Sequence, residues 1–68
     1  MFNKRAFHAK VVAEGLTFSA VAVALGINPG TLGRKMSGES DFTRAEIQKL
    51  RNILGMSCDE AERIFFSQ

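Results

Sequence analysis

The hydrophobic residues of this chain recur at helical spacing in five segments, and short polar or glycine-containing turns separate these segments. Phe7 and Val11 lie four residues apart in the first segment. The fourth segment carries a stripe formed by Ile47, Leu50, Ile53 and Leu54. No alternation of apolar and polar residues is long enough for a useful strand. The pattern therefore predicts an all-α, compact five-helix domain.

Capping residues mark the beginnings of the first three predicted helices. Asn3, Thr17 and Asn28 each precede an amphipathic or apolar run, which predicts helices over 3–14, 18–25 and 29 to 36 or 37. Pro29 follows Asn28 at the first helical position, where its missing N–H costs nothing. Glycines close the same three helices, namely Gly15, Gly26 and Gly38.

The last two predicted helices each open with a capping box. Thr43 and Glu46 have the spacing of the first box, and Ser57 and Glu60 have that of the second. The helices that follow are predicted to end at residues 54 and 66, with Gly55 between them. The whole chain, 1–68, is thus predicted to be a single domain.

Composition indicates a soluble protein of the cell interior. A lone cysteine cannot form an intramolecular disulfide, which favours a reducing compartment. The N-terminal residues do not have the pattern of a signal peptide. The longest uncharged segment, 15–33, has a continuous apolar part only at 20–25, too short to span a bilayer. We therefore expect a cytoplasmic protein with no membrane partner.

Charge is distributed unevenly along the chain, although the net charge is only +2. Residues 1–36 hold five basic residues and one acidic residue, whereas residues 37–68 hold four basic and six acidic residues. Such asymmetry fits a basic face that meets a polyanion, and it equally fits ordinary solvated helix surface. The same two alternatives apply to Lys4, Arg5 and Lys10.

The sequence offers little support for catalysis or for a cofactor. No Ser–His–Asp set, carboxylate pair or phosphate-binding loop is evident, and the glycines of 26–33 punctuate helices and do not follow a strand. His8 has no second ligand at metal-binding spacing, so we expect an exposed helix residue. Cys58 is expected to pack against the core, with a redox switch as the alternative. The chain is predicted not to be an enzyme.

The second and third predicted helices, with the turn between them, form a helix-turn-helix arrangement. Ala22 lets the helices cross closely, Gly26 turns the chain, and Ile27 and Leu32 are expected to hold the third helix on the core. A set of residues would then project outward from the start and outer face of that helix: Asn28, Pro29, Gly30, Thr31, Gly33, Arg34 and Lys35. This is the part of a recognition helix that enters the major groove of DNA.

The residues that define this segment are Leu16-Thr17, Val21-Ala22, Leu25-Gly26-Ile27-Asn28, Thr31-Leu32, Arg34-Lys35-Met36 and Gly38. Together they resemble the pattern of the lambda-repressor-like (XRE, Cro-type) helix-turn-helix family. Further positions are similar to short stand-alone regulators of phages and prophages: Phe42-Thr43, Glu46-Ile47, Leu54-Gly55 and Ile64-Phe65-Phe66. The resemblance implies a transcriptional regulator, usually a repressor, that binds double-stranded operator DNA as a homodimer in a bacterial host cell.

The resemblance also implies roles for individual residues. Asn28 and Thr17 lie where the family meets DNA phosphates, and Thr31 and Arg34 occupy positions that face bases or backbone. An arginine at position 34 can pair bidentately with a guanine. Lys35 and Arg44 are predicted phosphate partners.

Three features depart from the family pattern. Phe18 replaces a polar residue, often Gln, and the second helix carries no charge. Gly30 and Gly33 offer no side chain for reading bases, which leaves two accounts open: a close approach of backbone to DNA, or weaker specificity with more shape readout.

Apolar residues at unusual positions leave a second function open. Phe18 and Val23 are either covered by a neighbouring helix or form a patch for a partner. Phe65 and Phe66 are adjacent on a helix and cannot both face the core, so one is a possible dimer contact. These residues would serve the alternative, an antirepressor-like or antitoxin-like module that binds a regulatory protein.

Overall fold

The computed structural model describes residues 1–66, so Ser67 and Gln68 of the predicted domain 1–68 lie outside the described residues. The chain forms five helices, as the hydrophobic pattern predicts, and residues 1–66 contain no strand. The helices are α1 (Lys4–Ala13), α2 (Phe18–Leu25), α3 (Pro29–Ser37), α4 (Arg44–Leu54) and α5 (Cys58–Phe65).

The predicted caps are confirmed at the start of every helix. Asn3, Thr17 and Asn28 accept hydrogen bonds from the third backbone N–H of α1, α2 and α3. Both capping boxes, at the starts of α4 and α5, are complete. Because these side chains bind N–H groups that no helical carbonyl can reach, the sequence fixes the helix starts locally.

The ends of the first and last helices differ slightly from the prediction. Glu14 and Phe66 were expected inside helices, but each is the C-terminal cap, with φ of −86° and −130° respectively. The N–H of a C-terminal cap residue still donates to a helical carbonyl, but its backbone angles are no longer helical. A helix end predicted from the hydrophobic pattern alone therefore falls one residue too late.

Side chains from all five helices meet in one core. The buried residues are Phe7, Val11, Val21, Ala22, Leu25, Leu32, Leu50, Leu54, Met56, Ala61, Ile64 and Phe65. Phe2 covers one end of this core, with its ring centroid 5.0 Å from that of Phe42 and 5.6 Å from that of Phe65. The backbone N–H of Asn3 donates to the carbonyl of Ile64, which joins the start of α1 to the end of α5.

The packing of α3 on α2 positions the segment of interest. Ala22 is fully buried between the helices, where its small side chain permits a close crossing. The N–H of Ile27 donates to the carbonyl of Ala22 at 3.0 Å, and Gly26 has φ of +75°, a conformation that favours glycine. Leu32 is buried on the inner side of α3, so the outer side of this helix is left for solvent or a ligand.

The structure shows which of the four ambiguous apolar side chains are buried and which are exposed to solvent. Phe18 is half-buried between Phe7 and His8, whereas Val23 is 77% exposed and no helix covers it. Phe65 closes the core, so it is not available as a dimer contact, and Phe66 is 59% exposed.

The expectation that Cys58 packs against the core is wrong, because the first turn of α5 exposes its side chain.

Within the described residues, no single helix is both long and apolar enough to cross a membrane. The pair α1 and α2 meets the criteria of length and composition together, with a bend of 96° between the two helices.

Candidate nucleic-acid interface

The outer face of α3 is a surface of small and polar residues with one long basic side chain. Asn28, Pro29, Gly30, Gly33 and Arg34 are all exposed, as the helical spacing predicts. Thr31 is partly buried beside them. The structure therefore brings together most of the residues expected at the DNA-facing side of this helix.

A short chain of hydrogen bonds runs along this face. The Oδ1 atom of Asn28 accepts from the backbone N–H of Thr31 at 2.7 Å, which is a strong cap. The Nη2 atom of Arg34 donates to Oγ1 of Thr31 at 3.2 Å. Arg34 therefore lies back along the helix towards its N-terminus, with a guanidinium that retains free N–H groups for a ligand.

The two glycines of α3 have different structural roles. A Cβ at Gly30 would lie 3.3 Å from Oδ1 of Asn28, which is a tight contact, and 3.9 Å from Nη1 of Arg34, which is an ordinary one, so this glycine leaves room for the cap. A Cβ at Gly33 would meet no side chain and no neighbouring element within 4 Å. The internal packing explains the glycine at position 30, whereas nothing inside the fold requires one at position 33.

Lys35 points away from this outer face. Its ammonium lies 3.1 Å from Oε1 of Glu46 and donates to the carbonyl of Asp41 at 3.0 Å. Burial by itself raises the pKa of Glu46, but the Thr43 backbone N–H and the Lys35 ammonium outweigh it and hold that pKa below its ordinary value. Lys35 thus anchors α3 to the first turn of α4, which makes it a weaker candidate for a phosphate contact than its sequence position implies.

The remaining predicted phosphate partners lie at helix starts. Thr17 is exposed and caps α2 by accepting from the N–H of Ala20 at 3.1 Å. Arg44 is exposed at the first position of α4 and borders a groove between α4 and α5. These two residues therefore lie at the starts of α2 and α4, whereas Arg34 lies in the last turn of α3.

The basic residues of α1 do not share one environment. The ammonium of Lys10 lies 3.1 Å from Oε2 of Glu60, and this hydrogen bond raises the pKa of Lys10. Lys4 and Arg5, with His8, instead border a cleft beside Phe18 and Met36. Charge counts along the sequence could not separate these groups, because the pairing depends on how α5 packs against α1.

A groove between α4 and α5 presents apolar side chains away from α3. It has a volume of about 500 Å³ and is lined in part by Phe42, Ile47, Ala61 and Phe66. Its α4 side carries Arg44 and Arg51, and its α5 side carries Glu62 and Cys58. The Nη2 atom of Arg51 donates to Sγ of Cys58 at 3.1 Å, so the thiol faces this groove.

Residues 1–66 contain no cluster of three His, Cys, Asp or Glu side chains that could hold a metal ion. No family model matches the chain, and neither the curated proteins nor the solved structures include a match to it.

Proposed function

We propose that this protein is a sequence-specific DNA-binding regulator of transcription with a lambda-repressor-like helix-turn-helix fold. The observation that carries the proposal is the division of α3 into two sides. Leu32 is buried against the core, while Asn28 and Arg34 lie exposed on a helix held firmly on α2. A short, exposed helix of this kind, fixed by a preceding helix and a glycine turn, has the dimensions to enter a major groove.

Arg34 is the main base-reading residue in this proposal. A guanidinium can donate two hydrogen bonds to O6 and N7 of one guanine, and Arg34 is the only charged side chain on the outer face of α3 among the described residues. Thr31 orients it through the hydrogen bond to Oγ1, and the methyl group of a thymine could contact the small residues nearby. Arg44 and the N-terminus of α2 would contact phosphates.

The protein would bind its operator as a homodimer through the groove between α4 and α5. Phe66 is the largest exposed aromatic side chain of the described residues and borders this groove. A two-fold axis along the groove would place Arg51 on the α4 side of one copy against Glu62 on the α5 side of the other, and would leave Arg44, at the first position of α4, to the DNA phosphates. Such a surface is self-complementary in charge, as a symmetric dimer requires. By its likeness to phage and prophage regulators, the protein would act as a Cro-type repressor.

The proposal is tested by selection of duplexes from a random pool, followed by sequencing, at two salt concentrations. We expect a palindromic motif to be enriched, with half-sites about one helical turn apart, and affinity to fall as salt rises. Binding that depends on salt but enriches no motif would contradict sequence-specific regulation. An absence of binding at low salt would contradict DNA binding altogether.

A second candidate function is supported by the exposure of Val23. This residue lies on α2 within the uncharged segment 15–33, and a neutral apolar face suits a protein partner better than a phosphate backbone. The alternative is a module that binds a regulatory protein through this face of α2 or through Phe66. Replacement of Val23 by Gln would then abolish partner binding and leave DNA binding unchanged. Phe18 is unsuitable for this test because its ring supports the core.

A further inference from the structure

A cleft beside the start of α2 is lined by basic side chains of α1, whereas α2 itself carries no charged residue. Lys4, Arg5 and His8 of α1 border it together with Phe18 and Met36, and its volume is about 460 Å³. No carboxylate lines it. Within residues 1–66, neither Lys4 nor Arg5 makes an ion pair or a side-chain hydrogen bond, so both charges are available to a ligand.

The start of α2, which borders the cleft through Phe18, also carries backbone donors. Thr17 satisfies the N–H of Ala20, but the N–H groups of Phe18 and Ser19 have no acceptor among the described residues. The first N–H groups of a helix point along its axis and favour an anion. Phe18 also forms a wall of the cleft, with its ring centroid 5.3 Å from that of His8.

We propose that Lys4 and Arg5 form a patch that binds a phosphate of the DNA backbone beside the start of α2. This inference rests on the proposed function, because the ligand is a phosphate of the duplex that α3 reads. The patch adjoins Met36 in the last turn of α3, so a phosphate bound there would lie on the strand that flanks the recognition helix. α1 thus supplies the cations that α2, whose sequence is uncharged, does not provide.

If the patch binds a phosphate, its removal should change how steeply the affinity for DNA falls with salt concentration. Each phosphate contact that a protein makes contributes about 0.9 to the slope of log K against log salt concentration. The double variant K4Q/R5Q removes the contact to one phosphate, so it should bind with a slope that is shallower by about one unit per protomer, and it should enrich the same motif as the wild type. The charge-conserving variant K4R/R5K should restore the wild-type slope.

The matched control removes the same charge elsewhere. Lys49 and Arg63 are exposed on α4 and α5, and neither borders the cleft, so K49Q/R63Q should keep the wild-type slope. An unchanged slope in K4Q/R5Q, an equal loss in both double variants, or a changed motif would overturn the inference while leaving DNA binding intact. A wild-type protein that binds no duplex would overturn the proposed function and the patch with it. Thermal unfolding of each variant shows whether it retains the fold.

Discussion

The ammonium of Lys35 and the carboxylate of Glu46 lie 3.1 Å apart and join the end of α3 to the first turn of α4. Their side chains are only 12% and 15% exposed, so solvent screens this pair less than a typical surface pair. Glu46 also accepts the backbone N–H of Thr43 at 2.8 Å. One carboxylate therefore serves both as a helix cap and as the anchor that joins α3 to α4.

The first prediction concerns the strength of this anchor. Lys35→Met and Glu46→Gln should each lower the free energy of unfolding, and a double-mutant cycle should give a coupling of about 0.5–1 kcal/mol. Glutamine can keep the capping contact to Thr43 and loses only the charge, so it isolates the ion pair. The measurement is urea unfolding of the four proteins. A coupling of zero would mean that the pair does not hold α3 in place.

The second prediction concerns the loss of folding stability at low pH. The pKa of Glu60 is held below its ordinary value of 4.5 by the Ser57 backbone N–H and then by Lys10, and that of Glu46 is lowered as well. Because both carboxyls bind protons less readily when folded, their contribution is complete above pH about 4.5 and is lost as pH falls through the folded pKa values.

Thermal unfolding between pH 7 and pH 3 checks this. The melting temperature should decline below pH about 4.5, and the decline should be smaller in a variant carrying Glu46→Gln and Glu60→Gln. Asp59→Asn provides a control, since this exposed carboxylate makes no ion pair among the described residues. If the double variant has the same acid dependence as the wild type, these carboxylates do not carry it.

The third prediction compares the two glycines of α3. Gly33→Ala should stabilise the fold by about 0.5–1 kcal/mol, because alanine has the higher helix propensity and its Cβ meets open space. Gly30→Ala should gain less, because its Cβ would press on the capping Oδ1 of Asn28 at 3.3 Å. Chemical unfolding of both variants tests the difference. Equal stabilisation would show that the Asn28 cap adjusts freely.

The fourth prediction concerns base reading by Arg34. Arg34→Ala should weaken binding to the selected operator by about 1–3 kcal/mol and relax the preference at one base position in each half-site. Arg63→Ala, on the far helix α5, should change neither. Competition binding with operators altered at each position measures both effects. A variant that keeps the full preference at every position would remove Arg34 from the base-reading role.

The parts of this fold that the sequence predicts are those determined by residues close together in the chain, such as helix caps and glycine stops. Asn28 and Thr43 act on N–H groups three residues away, and Gly26 closes its own helix, so the helix boundaries depend only on neighbours in the chain. The exposed outer face of α3 follows from the same periodicity. These features were predicted correctly because they require no knowledge of how the helices pack.

The features that sequence analysis missed depend on contacts between helices. The ion pair between Lys35 and Glu46 was not predicted, because the sequence gives the position of Lys35 on α3 and does not give its distance from Glu46. The exposure of Cys58 and the opposite environments of Lys4 and Lys10 depend likewise on the packing of α5. The tight space at Gly30 lies within α3 itself and depends on where the capping side chain of Asn28 is held, which no helical pattern contains.

The open space beside Gly33 uncouples the exposed face of α3 from the core. A Cβ there would meet no other element within 4 Å, and α3 contacts the core through the buried Leu32. The side chain at residue 33 can therefore change without a compensating change in the core. The chemistry of this face and the stability of the scaffold can vary independently at that position.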